Sequence, residues 1–188
     1  GTQDVAIMSA IPNLSIYNCS DSVNSNAFAK IAYEKEGPKY IRIEKGIVPG
    51  LYNQNSLFID GISKLKDGID VHILSSGIIL HKAIEAAQSL SETGSDVGVL
   101  DLYRIKPIDK NILIGYLAKT KKLLIVEDNI ASGGLAEKVS SIIMGSQLKI
   151  DICSLNVTDI FSFNYSNKRD YVESRSSLSV EHIVEILT

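Results

Sequence analysis

The chain has 188 residues, which suits one medium α/β domain or one domain with part of another. Apolar residues make up 45% and charged residues 22%, an ordinary composition for a folded domain, and the net charge of −3 leaves no basic surplus for nucleic acid or an anionic membrane. The two cysteines, Cys19 and Cys153, lie far apart with no C-x-x-C or Cys/His cluster, which argues against a disulfide framework or a zinc site and makes a reducing cytoplasm the default compartment.

No apolar run approaches the roughly 18 residues of a membrane span. The opening "GTQDVAIMSAIPN" lacks the basic start of a signal peptide, and it lacks an initiator Met. The expectation is a fragment, or a processed or trimmed chain. "DVAIMSAI" reads as helix and "LSIYN" as strand. "DSVNSNAFAKIAYEKEG" reads as a helix with Val23, Ala27 and Ile31 inward, "GP" as a turn, and "KYIRIEK" as a strand. Two strands and two helices cannot easily cover their own apolar faces, so residues 1–45 look like the tail of a second α/β domain with an exposed apolar face. Residues 46–65, with Pro49, Gly50 and several Asn and Ser, read as an extended linker.

From residue 66 onward a strand–helix rhythm repeats. "VHILSSG" is a strand, and the next helix carries Ala83, Ala87 and Leu90 on one face with Gly94 as its stop. "DVGVLDLY" is a strand. "KPIDKNILIGYLAKT" opens a helix that Asp109 can cap, with Ile112, Leu113, Tyr116 and Leu117 as its stripe. "KLLIVED" is the third strand, "GGLAEKVSSIIMG" a helix with Leu135, Val139 and Ile142 inward, "LKIDICSLN" the fourth strand, and "SVEHIVEILT" the closing helix. Near-continuously apolar strands joined by helices of this length predict a three-layer α/β/α unit with a mostly parallel sheet over residues 66–188. The polar, aromatic-dotted stretch 158–177 reads as a surface loop, or as a loop facing an interface or substrate.

The strand-to-helix passage "IVEDNIASGGLAEKV" invites comparison with phosphate-binding turns, since helix N-termini attract anions. A Walker loop needs Lys after its glycines and Leu135 stands there, no G-x-G-x-x-G occurs, and Glu127 and Asp128 would repel a phosphate. The expected role is tight strand–helix packing. His72, His81 and His182 share no metal-ligand spacing, and no G-x-S-x-G elbow occurs. Arg42 and Lys45 lie on the strand "KYIRIEK" and its exit. Lys45, beside Gly46, stands where the carboxyl ends of parallel strands line a ligand crevice, and it can hold a substrate phosphate as a point charge.

The order of these motifs resembles the transketolase superfamily. "DVAIMSAIPN…D…GPKYIRIEKG" is similar to the end of its pyrimidine-binding domain, and "DGIDVHILSSG…VLDLYRIKPID…IVEDNIASGGLAEKV" to its third, C-terminal domain. The resemblance implies residues 1–45 as the end of the first, 46–65 as linker and 66–188 as the second. It implies a thiamine-diphosphate and Mg enzyme that moves a two-carbon ketol unit between sugars or sugar phosphates, the cofactor holding the carbanion. The family's G-D-G diphosphate motif, its activating glutamate and its substrate histidine have no counterpart here, so the chain alone is expected to bind no cofactor and to be inactive. Expected partners are an upstream half, on the same or a separate chain, a sugar substrate, and a second copy in a homodimer of the complete enzyme. Lys45 matches the basic residue that grips the substrate phosphate, where relatives usually carry Arg, and Ser9 replaces another frequent Arg. Alternatives are 1-deoxy-D-xylulose-5-phosphate synthase, the beta subunit of a 2-oxoacid dehydrogenase E1, and a non-catalytic dimerisation or interaction module.

Overall fold

The computed structural model describes residues 1–159 and 177–188. Most of the loop predicted at 158–177 therefore lies outside the described residues. Two sheets organise the chain. The smaller has three strands in the order β2 (Lys39–Arg42), β1 (Ser15–Asn18), β6 (Arg104–Lys106), with β1 and β2 parallel and β6 antiparallel to β1. The larger has five, in the order β3 (Ser63–Lys66), β5 (Val97–Asp101), β4 (Val71–Ser75), β7 (Lys122–Ile130), β8 (Asp151–Val157), and all but β3 run parallel.

The period-two alternation of the parallel strands sends successive side chains to opposite faces. Ile73, Val97, Val99, Leu124, Val126 and Leu155 meet helix α3 (Leu80–Glu92) and the C-terminal helix α6 (Val180–Leu187) on one side. Leu74, Leu100, Leu123 and Ile125 point to the other side, against α4 (Lys110–Leu117), α5 (Leu135–Met144) and the first helix α1 (Asp4–Ser9). Leu14 and Ile16 join that second core, so it is shared by both sheets. The far face of the small sheet carries Tyr17 and Ile41 under α2 (Ser22–Glu34), in an aromatic cluster with Phe28, Phe58 and Tyr103. The predicted three-layer arrangement with a mostly parallel sheet is thus present. Among the described residues, no helix is long and apolar enough to cross a membrane.

Several local expectations shift. The inner face of α2 is centred on Asn24 and Phe28, and Val23, Ala27 and Ile31 are only half-buried. Asp21 caps the helix and pairs reciprocally with Asn24, which turns Asn24 inward and sets the phase one residue on. In α5 it is Ile143, not Ile142, that is fully enclosed. "RIK" before Pro107 forms strand β6 ahead of the helix, and β3 occupies the end of the segment read as linker. Asp109 caps its helix as the sequence suggests, accepting the Ile112 N–H at 3.1 Å, and Ser179 caps the last helix by accepting the His182 N–H at 3.2 Å. The first 45 residues do leave apolar side chains in solvent: Ile7, Ile11, Tyr33 and Ile43 are all exposed.

Phe28 is completely buried between the rings of Tyr17, Phe58 and Tyr103, at centroid distances of 5.0 to 5.4 Å. Phe28→Ala is expected to lower stability by about 3–5 kcal/mol, read by urea unfolding. A loss below about 1 kcal/mol would mean that this cluster collapses freely around the gap.

Candidate functional site

A cleft of about 320 Å³ opens at the carboxyl ends of β1 and β2. One wall is the β1–α2 turn, from Cys19 to Ser22, and the opposite wall is the segment after β2, with Ile43, Glu44, Gly46, Ile47 and Val48. The turn is rigid because its polar groups satisfy one another. Asp21 Oδ1 accepts the Asn24 N–H at 2.9 Å, while Asn24 Oδ1 accepts the N–H groups of Ser20 and Asp21 at 3.1 and 3.2 Å. The Asn24 N–H in the first turn of α2 is therefore taken by the helix's own cap. His81 Nε2 donates to the Ser20 carbonyl at 2.8 Å and fixes the turn from below.

Lys45 lies in the exposed segment three positions beyond the end of β2. Its neighbours Glu44 and Gly46 line the cleft, and its N–H contacts the Glu44 carboxylate at 3.3 Å. Arg42 goes elsewhere. Its Nε meets Asp4 at 3.0 Å, its Nη1 meets Asp128 at 2.7 Å, and its Nη2 donates to the Gly1 carbonyl at 3.0 Å. Burial works against the guanidinium, but Asp128 and Asp4 outweigh it and hold the cation above its ordinary affinity for the proton. The strand thus separates two basic residues that the sequence placed together: Arg42 is structural, and Lys45 is exposed between two residues that line the cleft without lining it itself.

The sequence reading missed the acidic pair behind the cleft. Asp21 Oδ2 accepts the N–H groups of Leu51 and Tyr52 at 2.8 and 2.9 Å, and the Tyr52 hydroxyl donates to Asp101 Oδ2 at 2.7 Å. Asp101 is wholly buried at the carboxyl end of β5, and burial pushes its carboxyl up to about 7 against the Tyr52 and Ser20 hydroxyls that hold it down. An aspartate inside the apolar run "VGVLDLY" was the available signal. The three histidines do not converge: His72 is buried on β4 against Thr120, His81 supports the turn, and His182 meets Glu185 on α6.

The glycine-rich turn before α5 already holds a carboxyl group of the protein's own. Glu127 accepts the N–H groups of Leu135 and Ala136 at 2.6 and 3.0 Å, and the Asn156 amide at 2.6 Å. A Cβ at Gly134 would collide with that carboxylate, and one at Gly133 would press on Ala6 at 3.0 Å, where the backbone also takes the left-handed φ of +71°. Both glycines therefore serve packing, with one helix start occupied internally.

The sequence matches the family "Transketolase, C-terminal domain" over residues 61–183. The chain belongs to the transketolase family. It is 36% identical over 152 residues to an uncharacterised transketolase family protein of Sinorhizobium fredii, covering 79% of this chain and 44% of that protein. It is 28% identical over 186 residues to 1-deoxy-D-xylulose-5-phosphate synthase of Alcanivorax borkumensis, covering 97% of this chain and 28% of that enzyme. Among solved structures, a split-gene transketolase described as an inactive beta4 tetramer superposes with a TM-score of 0.90 at 29% identity, over 98% of this chain and 60% of that one. The chain thus spans between about a quarter and three fifths of the length of these transketolase-family proteins.

Two outcomes follow from this geometry. Arg42→Met removes the cation shared by Asp4 and Asp128 inside the fold, and should lower stability by about 3–5 kcal/mol in urea unfolding; a loss under about 1 kcal/mol would show that the carboxylates repartner. Asp101 binds its proton in the folded state up to about pH 7, against an ordinary value of 3.8 in the unfolded chain. Its stabilising contribution is then complete below pH 3.8 and is lost as pH rises to about 7. Asp101→Asn should flatten the fall in melting temperature over that window, and an unchanged profile would exclude Asp101 as its source.

Proposed function

We propose that the chain is the C-terminal portion of a thiamine-diphosphate-dependent, transketolase-like enzyme that transfers a two-carbon ketol unit between sugars or sugar phosphates. The observation that carries this reading is the 0.90 TM-score over nearly the whole chain to a split-gene transketolase. In this division residues 1–45 close the pyrimidine-binding domain, 46–65 link, and 66–188 form the third domain. The family match beginning at residue 61 supports a boundary near there.

The residues described here do not suit the cofactor's diphosphate and metal. The sequence holds no G-D-G, and among the described residues no group of three His, Cys, Asp or Glu side chains could hold a metal ion. That site is assigned to an upstream half, on the same chain or a partner chain, with the complete enzyme a homodimer. This chain's contribution is a substrate-facing wall. The carboxyl ends of parallel strands gather ligands in open α/β sheets, and Lys45 on the cleft's rim offers a mobile positive charge to a phosphate.

Reconstitution with the upstream half, followed by a donor–acceptor screen, tests the reading. Transfer from a ketose to an aldose supports it. A product built on a pyruvate donor would favour the synthase, whose relative aligns over 97% of this chain. No turnover in a folded, cofactor-loaded assembly would leave an interaction module. In the active enzyme, Lys45→Ala should raise KM for a phosphorylated donor by roughly tenfold with kcat little changed, and Lys45→Arg should restore it. Equal KM values for all three proteins would remove Lys45 from the site.

A further inference from the structure

The segment 43–50 supplies one wall of the cleft through Ile43, Glu44, Gly46, Ile47 and Val48, yet it has little to hold it there. Ile43 and Ile47 are 62% and 104% exposed, and only Val48 of the eight is even partly covered. The wall is fixed at its ends. Arg42 anchors the start through Asp4 and Asp128. At the other end, Leu51 and Tyr52 meet two acids from different parts of the chain. Asp21 commits Oδ1 to the cap of α2, which leaves Oδ2 to take both consecutive N–H groups. Asp101, from the carboxyl end of β5, takes the Tyr52 hydroxyl. The Tyr52 ring also rests edge-on against Phe58 at 4.8 Å, so its hydroxyl can be removed without removing its packing.

We propose that Tyr52 and Asp101 are positioning residues: with Asp21 they latch the segment 43–50 as one wall of the cleft and so keep Lys45, which it carries, in place. The inference rests on the reading of this cleft as substrate-facing. A latch of few bonds on a segment with little apolar burial is a local unit that opens without global unfolding.

The two cysteines report on it. Cys19 lines the cleft beneath the segment, is 6% exposed, and has its thiol pushed up to about 11 by burial, so it is silent to alkylation while latched. Cys153, partly exposed on β8 of the other sheet, is an internal reference. The experiment is iodoacetamide labelling of the 188-residue chain with peptide mapping, comparing the Cys19-to-Cys153 rate ratio in the unsubstituted chain and in Tyr52→Phe. The expected result is a rise in the ratio of roughly fivefold or more, from Cys19 alone, while Asp101→Asn, which keeps an oxygen for the phenol, holds the ratio of the unsubstituted chain. An unchanged ratio in Tyr52→Phe overturns the proposal. So does a parallel rise at both cysteines, which marks general loosening, or a ratio raised equally by Asp101→Asn. In the complete enzyme, Tyr52→Phe should raise KM for a phosphorylated donor several-fold with kcat within about twofold. A ratio that moves as expected in an enzyme with no sugar transfer sinks the functional reading and leaves the latch; an unmoved ratio in an active enzyme sinks the latch alone.

Discussion

Arg42 is the point on which the two sheets turn. A buried guanidinium is costly unless both its charge and its donors are met. Here two carboxylates and a backbone carbonyl meet them, and they come from α1, from the end of β7 and from the first residue. Asp4 extends the network by accepting the Tyr40 hydroxyl at 2.8 Å and the Asn129 amide at 3.2 Å. Six residues are too few for a helix to persist by its own hydrogen bonds. α1 exists because Asp4 pins its start, Val5 enters the shared core, and Lys106 donates to the Ser9 and Ile11 carbonyls at its end. Take away the arginine's partners and α1 loses its seat, and with it the cover over one face of the small sheet.

A second regularity is the use of carboxylates as internal anions. Asp21, Asp109 and Glu127 each occupy the start of a helix. Glu127 does so from a neighbouring strand, so burial raises its carboxyl to about 7 while the two helix N–H groups oppose that rise. At these three helix starts the protein's own carboxyl groups take N–H donors that ligands take in other α/β proteins. What remains for an outside molecule is the space at the strand ends, where the walls are made by turns and by the exposed segment after β2.

Much of this architecture was legible. Near-continuously apolar strands, the Asp109 cap, and helices of ordinary length declared the large sheet, because each of those signals is local. β3 and β6 were not legible. "SKLK" and "RIK" are short and polar, and each is a strand only because a partner distant in sequence pairs with it. The phase of α2 was misjudged because Asn24, a polar residue, faces inward to serve the cap, which a count of apolar residues cannot register. The exposure of Lys45 beyond the end of a strand was readable from its place in the sequence. Tyr52 and Asp21 were not, since their importance lies in meeting each other across 31 positions. The structural role of Arg42 was hidden for the same reason: nothing near it in sequence reveals the carboxylates that claim it.

Strand β6 runs against the division that the sequence suggests. It lies within the 61–183 family match, yet it completes the small sheet by pairing with β1. The boundary between units along the chain is therefore not a boundary in space. Cutting the polypeptide in the segment before β3 would not free two modules. It would strip the small sheet of one of its three strands and α1 of the lysine at its end. Any recombination that shuffles this piece among relatives has to carry both sides of the cut together, so the smallest heritable unit here is the pair.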